Sequence, residues 1–131
     1  MPRPGWRAVC PVSDTTADRR AVVDAHLAAF NAADLAAVMD GFADDAVLSV
    51  GDQTAIGARA IRALFADSFA SPVTAELMLH RAVVDGDTIA CELSETLTVQ
   101  GTIHTIDVAA FYTVRDGHLV RVRIYRDLAP A

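Results

Sequence analysis

A chain of 131 residues is one domain's worth, and 53% hydrophobic against 21% charged residues allow a buried core and exclude a disordered segment. The formal net charge of −6 excludes the basic face that nucleic acid demands, and no apolar run reaches the ~20 residues of a membrane helix. Cys10 and Cys91 have no CxxC neighbour and read as free thiols.

Residues 1–15 are basic, with an apolar run too short for a secretory leader. They read as a flexible extension before a single domain over 16–128, and the chain is expected to be cytoplasmic. Thr15 followed by Asp18 marks a helix start, and the spacing predicts a helix over about 16–32. Val22, Val23, His26, Leu27 and Phe30 recur at three and four and form its inward face. Asp34 can cap a shorter helix whose apolar stripe is Leu35, Val38, Met39 and Phe42, with Asp44 and Asp45 ending it. "AVLSV" (46–50) reads as a short strand and "GDQT" as a turn. "ARAIRALFADSFA" predicts a third helix with Ile61, Leu64, Phe65 and Phe69 inward, stopped at Ser71 and Pro72.

From Val73 the period falls to two. Asp85-Gly86 and Asp116-Gly117 signal tight hairpins and Gln100-Gly101 a softer turn, giving strands near 73–84, 88–99, 103–114 and 119–127. Helices first and an antiparallel meander last predict an α+β fold. Three N-terminal helices would pack on a curved antiparallel sheet as a cone enclosing a pocket. Small-molecule sites favour such concave apolar places, so polar residues on inward faces are the ones to examine.

His26 is one. It sits a turn after Val22 and a turn before Phe30 on the face that meets the sheet, and a neutral imidazole both donates and accepts protons. The plain alternative is a core histidine bonded to backbone. Glu95 is the second, set among the apolar odd positions Cys91, Leu93, Leu97 and Val99. A carboxylate on such a face must be paired, hydrogen-bonded or perturbed, unless that face is the outer one and Glu95 lies at the rim of a dimer. The parity of "TIHTIDVAAFYTV" stays open. Either His104, Ala110 and Tyr112 face inward, or Asp107, Ala109 and Phe111 do. Arg121 and Arg123 read as solvated or interface residues, and His80 as exposed. His26, His80, His104 and His118 lack ligand spacing, so no metal is expected, and no phosphate loop or nucleophile motif points to a cofactor.

Three stretches, "AFNAADLAAVMDGFADDAVL", "IGARAIRALF" and "FYTVRDGHLVRVRIYRDLAP", resemble the superfamily of nuclear transport factor 2, ketosteroid isomerase and the small, SnoaL-like polyketide cyclases. The likeness covers residues 18 to 128 or so and implies the fold far more than a reaction. It places the isomerases' donor tyrosine at His26, their base at Val50 and their protonated acid at Ala110 or Ala109, so neither carboxylate is present. Measured against limonene-type epoxide hydrolases, which share the fold, Glu95 and Ile124 hold the two acid positions. Leu93 holds the arginine, and Leu48 and Val50 hold the water-positioning residues. By the same likeness Arg126, in parity with Ile124, lies near the pocket mouth.

These readings lead to a cofactor-free small-molecule enzyme of the isomerase, cyclase or dehydratase type. It would act on an apolar polyketide- or terpenoid-like compound, with His26, Glu95 and Tyr112 catalytic. Phe30, Val50, Phe65, Phe69, His104, Asp107, Ala110, Ile124 and Arg126 would line the substrate site, and the chain would be a homodimer. Epoxide hydrolysis, for which Asp107 and Arg126 would have to lie near Glu95, and non-catalytic ligand binding are the alternatives.

Overall fold

The computed structural model describes residues 15–127; Cys10 and most of the N-terminal extension lie outside them. Helix α1 (Thr16–Asn31) starts where Thr15 Oγ1 accepts the Asp18 amide at 3.1 Å. Asp34 caps α2 (Leu35–Asp40) in the same way, accepting the Ala37 amide. Helix α3 spans Ala58–Ala70, as its periodicity predicts. Six strands follow or intervene: β1 (Phe42–Val50), β2 (Gln53–Ile56), β3 (Thr74–Asp85), β4 (Thr88–Val99), β5 (Thr102–Arg115) and β6 (His118–Arg126).

They form one sheet in the order β2-β1-β6-β5-β4-β3, antiparallel except where β1 runs parallel to β6. The architecture is α+β, with three helices and a mostly antiparallel curved sheet. Helix α1 packs on β3, β5 and β6, and α3 packs on β1 and β2. The core lies between, with Val23, Val38, Leu48, Ile61, Ile89, Tyr112, Val114, Leu119 and Val122 all buried. Among the described residues no helix is long and apolar enough to cross a membrane.

The region after α2 departs from the pattern reading. Phe42 belongs to β1, not to the helical stripe, because α2 already stops at Gly41. Asp44 and Asp45 therefore end no helix. They lie in β1, in the irregular stretch between Phe42 and Val47 where the pairing to β6 shifts register. Gln53–Ile56, whose first two residues read as part of the "GDQT" turn, is an edge strand too short to show an alternation of its own.

The turns match their chemistry. Gln100 (φ 49°) and Gly101 (φ 79°), then Asp116 (φ 52°) and Gly117 (φ 76°), are paired left-handed residues as type I′ hairpins require. In the first hairpin the central residues are Gly86 and Asp87, one place later than the Asp85-Gly86 signal suggests.

Two side chains tie α1 to the free edge of β3 and to the turn that follows it. Asn31 Nδ2 donates to the Leu77 carbonyl at 2.9 Å while its Oδ1 accepts the Leu77 amide at 2.8 Å. At the other end Arg19 Nη1 donates to the Gly86 carbonyl at 3.0 Å. Asn31 thus supplies the two bonds that a further strand would make. Replacing Asn31 by Ala is expected to lower the unfolding free energy by about 1–2 kcal/mol, seen as a lower urea midpoint with an unchanged m-value. An unaltered midpoint would show that water replaces the clamp at no cost.

Candidate functional site

The inward faces of the sheet and the helices enclose a cavity of about 790 Å3. Helix α1 contributes His26 and Phe30, and α3 contributes Leu64 and Phe65. The strands add Leu48 and Val50 from β1, Ala75 and Leu77 from β3, Leu93, Glu95 and Leu97 from β4, Val108, Ala110 and Tyr112 from β5, and Ile124 and Arg126 from β6. Most of this lining is apolar. Exposed or half-buried polar groups (Gln53, Thr54, Asp67, Ser68 and Ser71) gather on β2 and around α3.

His26 is 5% exposed and is the one buried polar or charged residue among the described residues. Its ring meets Phe42 at 5.5 Å in a T-shaped contact, Phe65 at 6.1 Å and Tyr112 at 5.7 Å. Its Nδ1 is buried with no hydrogen-bond partner among the described residues. Burial away from water disfavours the imidazolium and lowers the pKa from 6.5 to about 4. The ring is therefore neutral at physiological pH. Tyr112, 1% exposed, has its hydroxyl pKa raised by the same desolvation. Cys91, buried behind the cavity wall, is pushed up to about 11 for the same reason and stays a thiol.

Glu95 is matched by Arg126. Arg126 Nε donates to Glu95 Oε1 at 3.0 Å, and Nη2 lies 2.9 Å from the same oxygen. The two side chains are 12% and 30% exposed, so this pair is screened less than a surface ion pair. Both guanidinium contacts fall on Oε1, and Oε2 has no hydrogen bond among the described residues. The arrangement offers an ionic pair with one free carboxylate oxygen and, elsewhere in the same cavity, an uncharged imidazole.

The parity left open on β5 is the Ala110 one. Val108, Ala110, Tyr112 and Val114 are buried, whereas Asp107 and Phe111 are exposed. Of the residues expected at the site, His26, Glu95, Tyr112, Phe30, Val50, Phe65, Ala110, Ile124 and Arg126 all line the cavity. Three do not. Asp107 points to the outer face of the sheet, where it borders a surface cleft with His80, Glu92 and Tyr125. His104 has the inward parity but sits on the exposed first turn-ward residues of β5. Phe69 is a second layer: its ring packs at a tilt against Phe30 at 5.6 Å and Phe65 at 6.0 Å without lining the cavity.

Several lining residues escaped the site reading. Val73, Ala75 and Leu77 were legible as an alternating apolar face but not as cavity wall, because β3's orientation depends on its partner β4. Gln53, Thr54 and Ala55 were missed with β2 itself. On the outer face His80 Nε2 and Ser94 Oγ are hydrogen-bonded at 2.8 Å, and Arg121 and Arg123 are exposed.

Helices laid across the concave side of a bent, mostly antiparallel sheet define the nuclear transport factor 2-like class of fold. Residues 23–122 match the SnoaL-like domain family, and the chain belongs to that family. Among solved structures it is similar to an LEH-like epoxide hydrolase of M. tuberculosis, with 26% identity and a TM-score of 0.77, covering 86% of this chain and 84% of that one. A protein of Xanthomonas campestris pv. campestris assigned as a polyketide cyclase superposes with a TM-score of 0.79 at 21% identity, over 88% and 93% of the two chains. SalBIII, an epoxide hydrolase/cyclase-like enzyme of pyran ring formation in polyether salinomycin, has a TM-score of 0.79 at 18% identity, over 88% and 95%. No curated protein matches the sequence itself.

The depressed His26 pKa carries a stability consequence of fixed sign. Between pH 6.5 and about 4 the unfolded chain binds a proton that the folded chain refuses. Stability attributable to His26 is whole above that window and is lost as pH falls through it. The loss amounts to about 3 kcal/mol by pH 4. Urea unfolding of the wild type and of His26→Leu at pH 7 and pH 4 measures it: the variant should gain on the wild type by that amount as pH falls, and a pH-independent difference would contradict the buried neutral ring.

Proposed function

We propose that the protein is a cofactor-free enzyme acting by general acid–base chemistry on a neutral, largely apolar organic molecule of polyketide or terpenoid type. The reaction class favoured is isomerisation, cyclisation or dehydration. The observation that carries this reading is the Glu95 carboxylate, whose Oε2 has no hydrogen bond among the described residues, held beside the Arg126 counter-charge in a cavity that also presents His26. Glu95 is the base: Oε2 removes a proton from carbon next to a substrate carbonyl. The C–H electron pair becomes the double bond of an enolate, and Glu95 returns the proton at a second carbon. Arg126 offsets the carboxylate's charge when it is ionised. Tyr112 and His26 are the polar groups available to the substrate oxygen, while Phe30, Phe65, Val50, Ala110 and Ile124 hold its apolar body.

Epoxide hydrolysis is a second reading, favoured by the direct contact between Glu95 and an arginine and by the likeness to the M. tuberculosis enzyme. In it Glu95 would activate water. The second acid that this chemistry calls on is missing at Ile124, and Asp107 is on the other face of β5. Ligand binding without turnover is the third, suggested by Val50, Ala110 and Ile124 where relatives' acids are expected.

The outer face of the sheet fits a second copy of this chain. Met78, Phe111 and Tyr125 are 59%, 41% and 48% exposed there, with Arg121 and Arg123 on one side and Glu92 and Asp107 on the other. A two-fold axis would set cations of one copy against acids of its partner. The buried free thiol of Cys91 suits a reducing, cytoplasmic setting.

Two measurements test these readings. Against a panel of β,γ-unsaturated ketones, aldol-type polyketide analogues and cyclic epoxides, Glu95→Gln should lose 10²-fold or more in kcat, within the roughly 10²–10⁴ range of a general base. Turnover undiminished in Glu95→Gln would sink the catalytic assignment, and a preference for epoxides would select the second reading. For assembly, sedimentation velocity should give twice the chain mass, falling to the monomer value in Phe111→Asp; a monomeric wild type would refute the pairing.

A further inference from the structure

His26 has two ring nitrogens, and the structure treats them differently. Nδ1 is buried and has no hydrogen-bond partner among the described residues. Nε2 makes no hydrogen bond to any described residue, and His26 lines the cavity, so Nε2 is the nitrogen a ligand can meet. A neutral imidazole carries one proton. If it sat on Nδ1, a buried N–H would have no acceptor, while the cavity-facing nitrogen would be a bare lone pair. If it sits on Nε2, the donor faces the cavity and only a lone pair is left unsatisfied inside. Orphaned buried N–H groups are the rarer of the two defects. The surroundings offer no way round this. The ring neighbours are Phe42 of β1, Phe65 of α3 and Tyr112 of β5, none of them charged, and burial keeps the Tyr112 hydroxyl protonated.

We infer that His26 serves the cavity as a neutral hydrogen-bond donor through Nε2–H, not as a proton acceptor, and that the group it takes is the carbonyl oxygen of an uncharged substrate. The inference deepens the acid–base reading and rests on it for the identity of the ligand, though not for the tautomer. It divides the labour of the site. Glu95 Oε2 takes the proton from carbon, and the negative charge that develops on the substrate oxygen is held by a donor already aimed and already free of water. A donor that stays uncharged avoids putting an imidazolium into an apolar site, and it loses almost nothing as pH falls from 8 to 6. The same cavity holds a charge-matched Glu95–Arg126 pair, so an uncharged ligand enters without breaking either balance.

The tautomer is read directly in the free protein. Histidine labelled with 15N in both ring positions, with the His26 signals assigned by their loss in His26→Gln, should show a pyridine-type Nδ1 and a pyrrole-type Nε2 at pH 7. Both should hold essentially unchanged down to pH 6. A pyrrole-type Nδ1, or an imidazolium pair of shifts at pH 7, would overturn the inference whatever the protein catalyses. Kinetics on a ketone that the wild type turns over give the second arm. Glutamine can donate a hydrogen bond but cannot act as a base near neutral pH, so His26→Gln should retain at least tenfold more kcat than His26→Ala. Equal, complete loss in both variants would identify a base and refute the donor role. Failure of the acid–base reading is seen separately, as undiminished turnover in Glu95→Gln, and leaves the nitrogen shifts unaffected.

Discussion

Everything at the site depends on keeping one face of the sheet apolar along strands that cannot stay regular. A strand alternates with period two, so a single inserted residue exchanges its faces. In β3 the pairing slips between Leu79 and Arg81, leaving His80 unopposed. Ala75, Leu77 and Leu79 face inward before that bulge, and Ala82 and Val84 take over after it. In β6 the slip opposite Thr113 and Val114 leaves Val120 extra, so Leu119 is inward and then Val122, Ile124 and Arg126. Each bulge bends its strand as well as resetting it. The sheet curves around α1 and α3 and still presents apolar side chains to them.

The ion pair follows from that resetting. Glu95 is opposite Ile106 and Arg126 is opposite Val108, so the two side chains meet across β5 only because β6 carries Arg126 inward. Were Val120 paired in regular register instead of bulged out, the arginine would lie on the outer face with Tyr125's present neighbours, and Glu95 would stand uncompensated in an apolar cavity. An isolated buried carboxylate of that kind costs several kcal/mol or takes up a proton. On the opposite side Leu77, the residue paired with Glu95, has both its backbone groups held by Asn31. The carboxylate is thus placed by a bulge on one flank and a side-chain clamp on the other.

What could be read in the sequence was what periodicity and turn chemistry encode locally. Helix α3 and strand β4 came out with their observed limits, and Thr15 and Asp34 were recognisable caps. His26 and Glu95 stood out because each is polar on an apolar stripe, a signal needing no partner. Phe42 was misplaced because it continues α2's spacing, while the residue that ends that helix, Gly41, leaves no mark on an apolar count. The Asp44-Asp45 pair looked like punctuation, but in an irregular strand paired in parallel to a distant β6 it is simply exposed. His104 was placed by parity alone. Parity gives the face of a strand and not how far the covering helices reach along it. Asp107 needed the orientation of the whole sheet, which no single strand contains.

By the resemblance, the positions where related folds keep their acids fall on Val50, Ala110 and Ile124, and all three line the cavity with apolar side chains. The polar groups that remain come from other places: α1 for the imidazole, β4 and β6 for the ion pair. An uncharged histidine among three rings and a carboxylate matched by a guanidinium leave the buried part of the lining without net charge, and the other charged lining residue, Asp67 of α3, is exposed. An anion would have to leave water for a mostly apolar lining without gaining a free counter-ion, a cation would meet only the exposed carboxylate of Asp67, and both would be disfavoured by that desolvation. A neutral molecule loses little on entry, and the field it meets acts only as charge moves during reaction. Selectivity for uncharged compounds and stabilisation of a transient oxyanion would then have one physical origin, the absence of any uncompensated charge around His26.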